Sequence, residues 1–227
     1  MIRFENLTKI YTLEGRRTVV ADNLNTTFPT GRAVALMGRN GAGKSSLLRM
    51  VAGTMDPTWG RIVSDGTISW PVGFAGSFHN ELTGAQNVRF VARIYGVDTD
   101  ELVDFVQDFA EVGQHFHMPI KSYSSGMKSR LTFGTSMGIA FDTYLIDEVT
   151  AVGDASFKAK SARLFADRMR NSGALMVSHS MGQVRQMCDA GAVLEDGKLT
   201  YYDDLDEAIE VHQANMGSSG AECRKPL

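Results

Sequence analysis

The sequence predicts an α/β chain: a mainly parallel core sheet, an antiparallel β part beside it and an inserted α-helical part. Three observations carry this. Short apolar runs suited to buried strands, "AVALMG", "TYLIDE" and "ALMVSH", alternate with stretches of helical periodicity. A helical pattern from about Thr83 to Gly113 separates the first run from the other two. The ends read as strand beside strand, closing on "AVLEDGKLTYY", a hairpin that turns at Asp196-Gly197.

In chain order, "MIRFENLTKIY" and "TVVADNLNTTF" read as strands, and "AVALMG" as a continuous apolar strand buried on both faces. After "GKSS", the stretch "LLRMVAG" places Leu47, Leu48 and Val51 at helical spacing and stops at Gly53. "AQNVRFVARIYG" and "DELVDFVQDFAEVG" are two helices separated at Gly96, and a further amphipathic helix follows Gly126. "TYLIDE" then returns to strand. A length of 227 residues fits one large α/β domain or two small ones. One domain over 1–215 is the simpler organisation, with the helical part inserted at about 80–140 and "MGSSGAECRKPL" (216–227) a flexible tail.

Composition narrows the functions. Hydrophobic residues make up 43% and charged residues 22%, which excludes a disordered chain. A net charge of -3 with no block of like charge provides no broad field for nucleic acid. Cys188 and Cys223 lack metal-ligand spacing, and "MIRFENLTKIY" lacks the apolar run of a secretory signal, so a reducing cytosol is expected. No stretch reaches the roughly 18 to 20 apolar residues of a membrane-spanning helix, so any work on a membrane goes through a partner.

Two stretches carry chemistry. "GRNGAGKSS" (residues 38–46) has the spacing of a phosphate loop, with Gly38, Arg39, Asn40, Gly41, Ala42, Gly43, Lys44, Ser45 and Ser46 in turn. Its glycines let backbone N–H groups curl around phosphate oxygens at a helix N-terminus. Lys44 can reach the β- and γ-phosphates, and Ser45 can ligate Mg²⁺. This loop alone fits a nucleotide kinase, a GTPase or an ATPase. In "TYLIDEV" an apolar strand delivers Asp147 and Glu148 at its end, facing different ways. Asp147 is assigned to the Mg²⁺ shell and Glu148 to the general base. "YSSGMKSRL" (residues 123–131) opens a helix with Ser-Ser-Gly, which either caps the helix or grips a second anion.

Together these motifs resemble those of the nucleotide-binding subunits of ABC transporters, within the P-loop NTPases. "GRNGAGKS" is similar to that family's Walker A, "YLIDE" to its Walker B and "YSSGMKSRL" to its signature. "AVGD" (151–154) resembles the D-loop, and His179 in "MVSHS" the switch histidine. The resemblance implies an ATPase with ATP and Mg²⁺, and an ATP-dependent head-to-tail dimer of two copies. Each ATP would lie between the Walker A of one copy and Ser124, Ser125, Gly126 and Met127 of the other. Ser125 and the N–H groups of Gly126 and Met127 would hold the γ-phosphate, and Asp154 would cross the interface. His179 would hydrogen-bond the γ-phosphate, and Tyr11 matches the aromatic position that stacks on adenine.

The form "YSSGM", the run "DEVTAVGD" and the segment "ISWPVGFAGSFHNELTGAQNVRFVARIYG" are similar to the ATPase of Gram-negative capsular polysaccharide exporters. That resemblance implies a separate integral membrane permease. Through it the complex would reach periplasmic and outer-membrane export components, and the chain would sit peripherally on the cytoplasmic face of the inner membrane. Where most of the family has a metal-sensing glutamine, this chain has "GFAGSFHNELTG", with His79 the nearest candidate ligand. Trp70 to Phe78 offer either a docking face for a partner helix or ordinary packing. A soluble ABC ATPase acting on the ribosome is the alternative; such chains usually join two cassettes or insert a long coiled coil, and neither feature is present here.

Overall fold

The computed structural model describes residues 1–73, 78–147 and 155–218. In chain order the elements are β1 (Ile2–Leu13), β2 (Arg16–Leu24), β3 (Thr27–Phe28), β4 (Ala33–Met37), α1 (Lys44–Val51), β5 (Trp59–Ser64) and β6 (Ile68–Pro71). The helices α2 (Gly84–Tyr95), α3 (Thr99–Ala110) and α4 (Ser125–Gly138) follow. The chain closes with β7 (Thr143–Asp147), α5 (Ala155–Met169), β8 (Gly173–Val177), α6 (Met181–Met187), β9 (Ala190–Glu195), β10 (Lys198–Tyr202) and α7 (Leu205–Ser218).

The described residues form two compact units. The first takes residues 1–68, 142–147 and 172–218; the second takes 69–141 and 155–171. Within the first, strands run in the order β10-β9-β4-β8-β7. β4, β7, β8 and β9 are parallel, and β10 is antiparallel to β9. The β9–β10 hairpin turns at Asp196 and Gly197, both at positive φ (46° and 76°), the geometry that two-residue hairpins demand. Beside this sheet, β1 pairs antiparallel with β2, β3 and β5. The core between them is built from Phe4, Leu7, Leu36, Leu47, Leu48, Leu145 and Leu194, all almost fully buried. The run "TVVADNLNTTF" is two strands, not one: β2 ends at Leu24, and Asn25 bonds back to Asn6 N–H (3.0 Å).

The second unit is helical for chemical reasons visible residue by residue. Thr83 and Gln86 form a reciprocal capping box that starts α2, and Gly96 in the left-handed region ends it. Asp98 caps α3 by accepting from Asp100 and Glu101 N–H. In α4 the hydroxyls of Thr135 and Ser136 are buried but donate to Leu131 and Thr132 carbonyls at 2.8 and 3.0 Å. A Cβ on Gly138 would lie 2.5 Å from Leu102 Cδ1, so α3 packs against backbone there. α4 therefore buries hydroxyls and glycine beside the apolar Leu131, Phe133 and Met137.

Trp70 is buried (8% exposed), with Tyr95 and Phe141 rings 4.9 and 5.6 Å away. Packing, not docking, explains it; Phe74 lies outside the described residues. α7 runs to Ser218, so residues 216–218, read from the sequence as the start of a flexible tail, are helical. Among the described residues no helix is long and apolar enough to cross a membrane.

Candidate active site

The site is built at the carboxyl edge of the parallel strands, the edge where ligands bind in open α/β sheets. β4 runs into residues 38–43 and then α1, giving the strand–loop–helix order that a phosphate loop requires. Gly38, Gly41 and Gly43 have φ of 152°, 83° and 105°. A Cβ at Gly38 would sit 2.3 Å from Leu194 O, and one at Gly43 2.7 Å from Val20 Cβ. Glycine is thus demanded at both positions by neighbouring strands as well as by φ. Ala42 N–H donates to Arg39 O at 3.1 Å, which closes the turn. Lys44 Nζ lies inside the curl, donating to Gly38 O (2.7 Å) and Arg39 O (2.9 Å). Arg39, Asn40, Gly41 and Ser45 are exposed around it.

Asp147 is the last residue of β7 and pairs with Val177 of β8, which itself neighbours β4. Its carboxylate therefore ends at the same edge as the loop. Ser45 and Asp147 are hard oxygen donors of the kind Mg²⁺ takes, few in number and completed by phosphate and water. Among the described residues no cluster of three or more His, Cys, Asp or Glu could hold a metal alone. His179 follows β8 by two residues and is exposed. Its turn is braced by Ser178 Oγ, which donates to Gln183 Oε1 (3.0 Å) and accepts from Ser180 N–H (3.1 Å). Glu148 and Asp154 lie outside the described residues.

Tyr11, on β1, presents its hydroxyl 3.0 Å from Ser46 Oγ and donates to Met55 Sδ at 3.1 Å. Lys9 Nζ stands 5.3 Å from the centre of the same ring while donating to Asp56 O. Tyr11 as a whole is 38% exposed. On α7, burial pushes the His212 pKa below its ordinary value; the Lys44 charge adds to this and the Glu195 carboxylate opposes it. Sequence reasoning did not single out His212, because nothing local marks a helical histidine as facing the loop.

In the second unit, Ser124 is the N-cap of α4, its Oγ accepting from Met127 N–H at 3.2 Å. Met127 N–H, named from the sequence as an anion donor, is thus already engaged by its own cap; Ser125 and Gly126 occupy the first turn. Among the described residues, a Cβ on Gly126 would meet nothing closer than Ser124 Oγ at 3.9 Å. Tyr123, the residue before the serines, is buried and donates to His115 O at 2.6 Å. Gly84 is needed opposite it: a Cβ there would stand 2.4 Å from the tyrosine oxygen. His79 is exposed, and its Nδ1 accepts from Glu81 N–H at 3.3 Å. The same turn is tied by Asn87, 1% exposed, whose amide bonds His79, Leu82 and Thr83 backbone.

The family model for ABC transporters matches residues 21–151. The chain is 50% identical over 216 residues to the polysialic acid transport ATP-binding protein KpsT of Escherichia coli, covering 94% of this chain and 96% of that one. It is 43% identical over 215 residues to the capsule polysaccharide export ATP-binding protein CtrD of Neisseria meningitidis serogroup B (94% and 99%). With the ATP-binding protein BexA of Haemophilus influenzae the identity is 41% over 212 residues (93% and 98%). Among solved structures, the dimeric post-hydrolysis ATP-binding cassette MJ0796 bound to ADP and Pi superposes with a TM-score of 0.73 at 20% identity, covering 90% of this chain and 99% of that one.

Proposed function

Because the chain belongs to the ABC transporter family, we propose that it is the ATP-hydrolysing subunit that powers capsular polysaccharide export through a separate permease. The observation that carries this is its identity, over nearly the whole length of both chains, with ATP-binding proteins of capsule export. In this reading two copies face each other head to tail, with one ATP at each shared edge. Gly38 to Ser46 wrap the phosphates, and Lys44 exchanges the carbonyls of Gly38 and Arg39 for β- and γ-phosphate oxygens. Ser45 and Asp147 would hold Mg²⁺, which would supply charge neutralisation at the β- and γ-phosphates.

Glu148 takes a proton from water as its oxygen bonds to the γ-phosphorus; the bond from that phosphorus to the β–γ bridging oxygen breaks, leaving ADP and phosphate. His179 hydrogen-bonds the γ-phosphate and orients the water. The partner copy's Ser125 and Gly126 close the other side. An open Cβ position at Gly126, with nothing among the described residues to fill it, supports an approach from outside. Asp154 crosses the interface, His79 takes the place of the family's metal-sensing glutamine, and Tyr11 stacks on adenine. Closure of the pair draws on the permease, and reopening after hydrolysis resets it.

The permease has a suitable face on the second unit. Leu82, Phe90 and Ile94 are 36%, 53% and 61% exposed; Phe90 and Ile94 share a face of α2 at i, i+4 spacing, with Arg93 three residues after Phe90. This apolar strip with a basic margin suits a short amphipathic segment carrying carboxylates. The chain then rests peripherally on the cytoplasmic face of the inner membrane, and through the complex serves periplasmic and outer-membrane components. The test is Glu148→Gln in the chain purified with its membrane partner. ATP binding is retained and turnover falls by at least about a hundredfold. Near-normal hydrolysis refutes the base assignment, and recovery on ribosomes without a membrane protein refutes the export reading.

A further inference from the structure

Three helices of the second unit meet at one carboxylate. Glu111 follows α3 directly and holds the left-handed conformation, φ 52° and ψ 40°. Glycine adopts that conformation at lower cost, so a glutamate there points to use of its side chain. Its Oε1 pairs with Lys160 Nζ on α5 at 2.6 Å, and its Oε2 lies 3.7 Å from Arg130 on α4. Lys160 also donates to Phe109 O (3.1 Å) and Asp108 O (3.3 Å), where its charge offsets the negative end of α3. The ring of contacts closes through aromatics. The Arg130 guanidinium carbon is 4.4 Å from the centre of the buried Phe157 ring on α5, and that ring is 5.2 Å from Phe109.

The position of this ring gives it a consequence. Arg130 stands four residues after Gly126, one turn along the same face of α4. Phe157 stands three residues after Asp154, at the start of the helix that follows the segment carrying Glu148. We propose that Glu111 is a positioning residue that locks the Ser125–Gly126 helix start to α5, so that the grip on the partner's ATP is held in place. This rests on the reading of residues 124–127 as the signature. An exposed ion pair alone contributes little, but here one carboxylate separates two cations, and the Arg130 side chain is only 19% exposed. Replacing the carboxylate by an amide removes the charge that both Arg130 and Lys160 pair with, and with it this tie between α4 and α5.

The experiment compares Glu111→Gln, Glu111→Asp and Asp104→Asn, the last removing one exposed charge from α3 as a control. Each is measured for ATP binding to the dilute monomer, for kcat, and for the ATP-dependent dimer constant in a Glu148→Gln background. Glu111→Gln weakens the dimer roughly tenfold and lowers kcat, with ATP affinity of the monomer unchanged; Glu111→Asp restores most of both. Asp104→Asn behaves as wild type. An unchanged dimer constant in Glu111→Gln, or an equal loss of monomer binding, overturns the proposal. Should Glu111→Gln melt early, Lys160→Met cuts the opposite end of the ring and gives the same readout. Ser125→Ala separates the two levels. If it spares the dimer, the signature reading itself fails; if it weakens the dimer while Glu111→Gln does not, only the positioning role fails.

Discussion

At the scale of the residue, Tyr11 separates two functions of one side chain. In the proposed function its ring stacks on the base, while its hydroxyl is engaged with Ser46 in the phosphate loop. Base–aromatic stacking is worth about 1 to 3 kcal/mol and needs only the ring. Tyr11→Phe therefore binds ATP at least as tightly as wild type, since it frees Ser46 Oγ for phosphate without removing the stack. Tyr11→Ala raises the ATP dissociation constant by about tenfold or more. Titration calorimetry with both variants checks this; equal weakening by Phe and Ala would show that the hydroxyl, not the ring, carries the role. Cys188 is the opposite case: burial pushes its thiol up to about 12, with Asp189 adding to the shift, so it stays protonated and unreactive.

At the scale of the element, legibility followed how locally each element is specified. The phosphate loop was readable because positive φ at Gly38, Gly41 and Gly43 and the adjoining buried strand are written in consecutive residues. The helices α2 and α3 were readable because Thr83, Gly96 and Asp98 punctuate them. β5 was not: Trp59 is 61% exposed, and its partners Phe4, Glu5 and Thr8 lie some fifty residues upstream, so no local alternation marks it. α4 was found through Ser-Ser-Gly, but its burial was not, because Thr132, Thr135 and Ser136 turn their hydroxyls onto the helix itself. Tyr123 carries no local signal in the sequence, since its value depends on His115 and Gly84. Removing its hydroxyl leaves His115 O without that donor, a loss of about 1 to 2 kcal/mol. Tyr123→Phe therefore melts about 2 to 8 °C lower in calorimetry. An unchanged melting point would mean that this junction of α2 and α4 does not hold the signature in place.

At the scale of the whole molecule, the first unit brings the loop after β4 and Asp147 to the ends of the parallel strands, the second starts α4 at Ser125 and Gly126, and the proposed pair of copies makes one ATP site from the two. Gly126 distinguishes a helix start serving its own chain from one serving another copy. Inside a helix glycine costs up to about 1 kcal/mol relative to alanine, and the chain offers room for the missing Cβ. If Gly126 served only its own fold, Gly126→Ala would be neutral to activity and slightly stabilising. If it meets the partner's ATP, the added methyl group stands where a phosphate must approach. Gly126→Ala then melts at or slightly above the wild-type temperature, binds ATP as a monomer with unchanged affinity, and loses at least about tenfold in turnover. Wild-type turnover per chain meanwhile falls on dilution below the dimer constant, and mixing Gly126→Ala with Lys44→Ala chains restores part of it, since one of the two mixed sites has both halves intact. Steady-state hydrolysis over a dilution series, with and without that mixing, reads all of this. Dilution-independent turnover that Gly126→Ala leaves untouched would place the complete hydrolytic centre within a single copy and remove the reason for the pair.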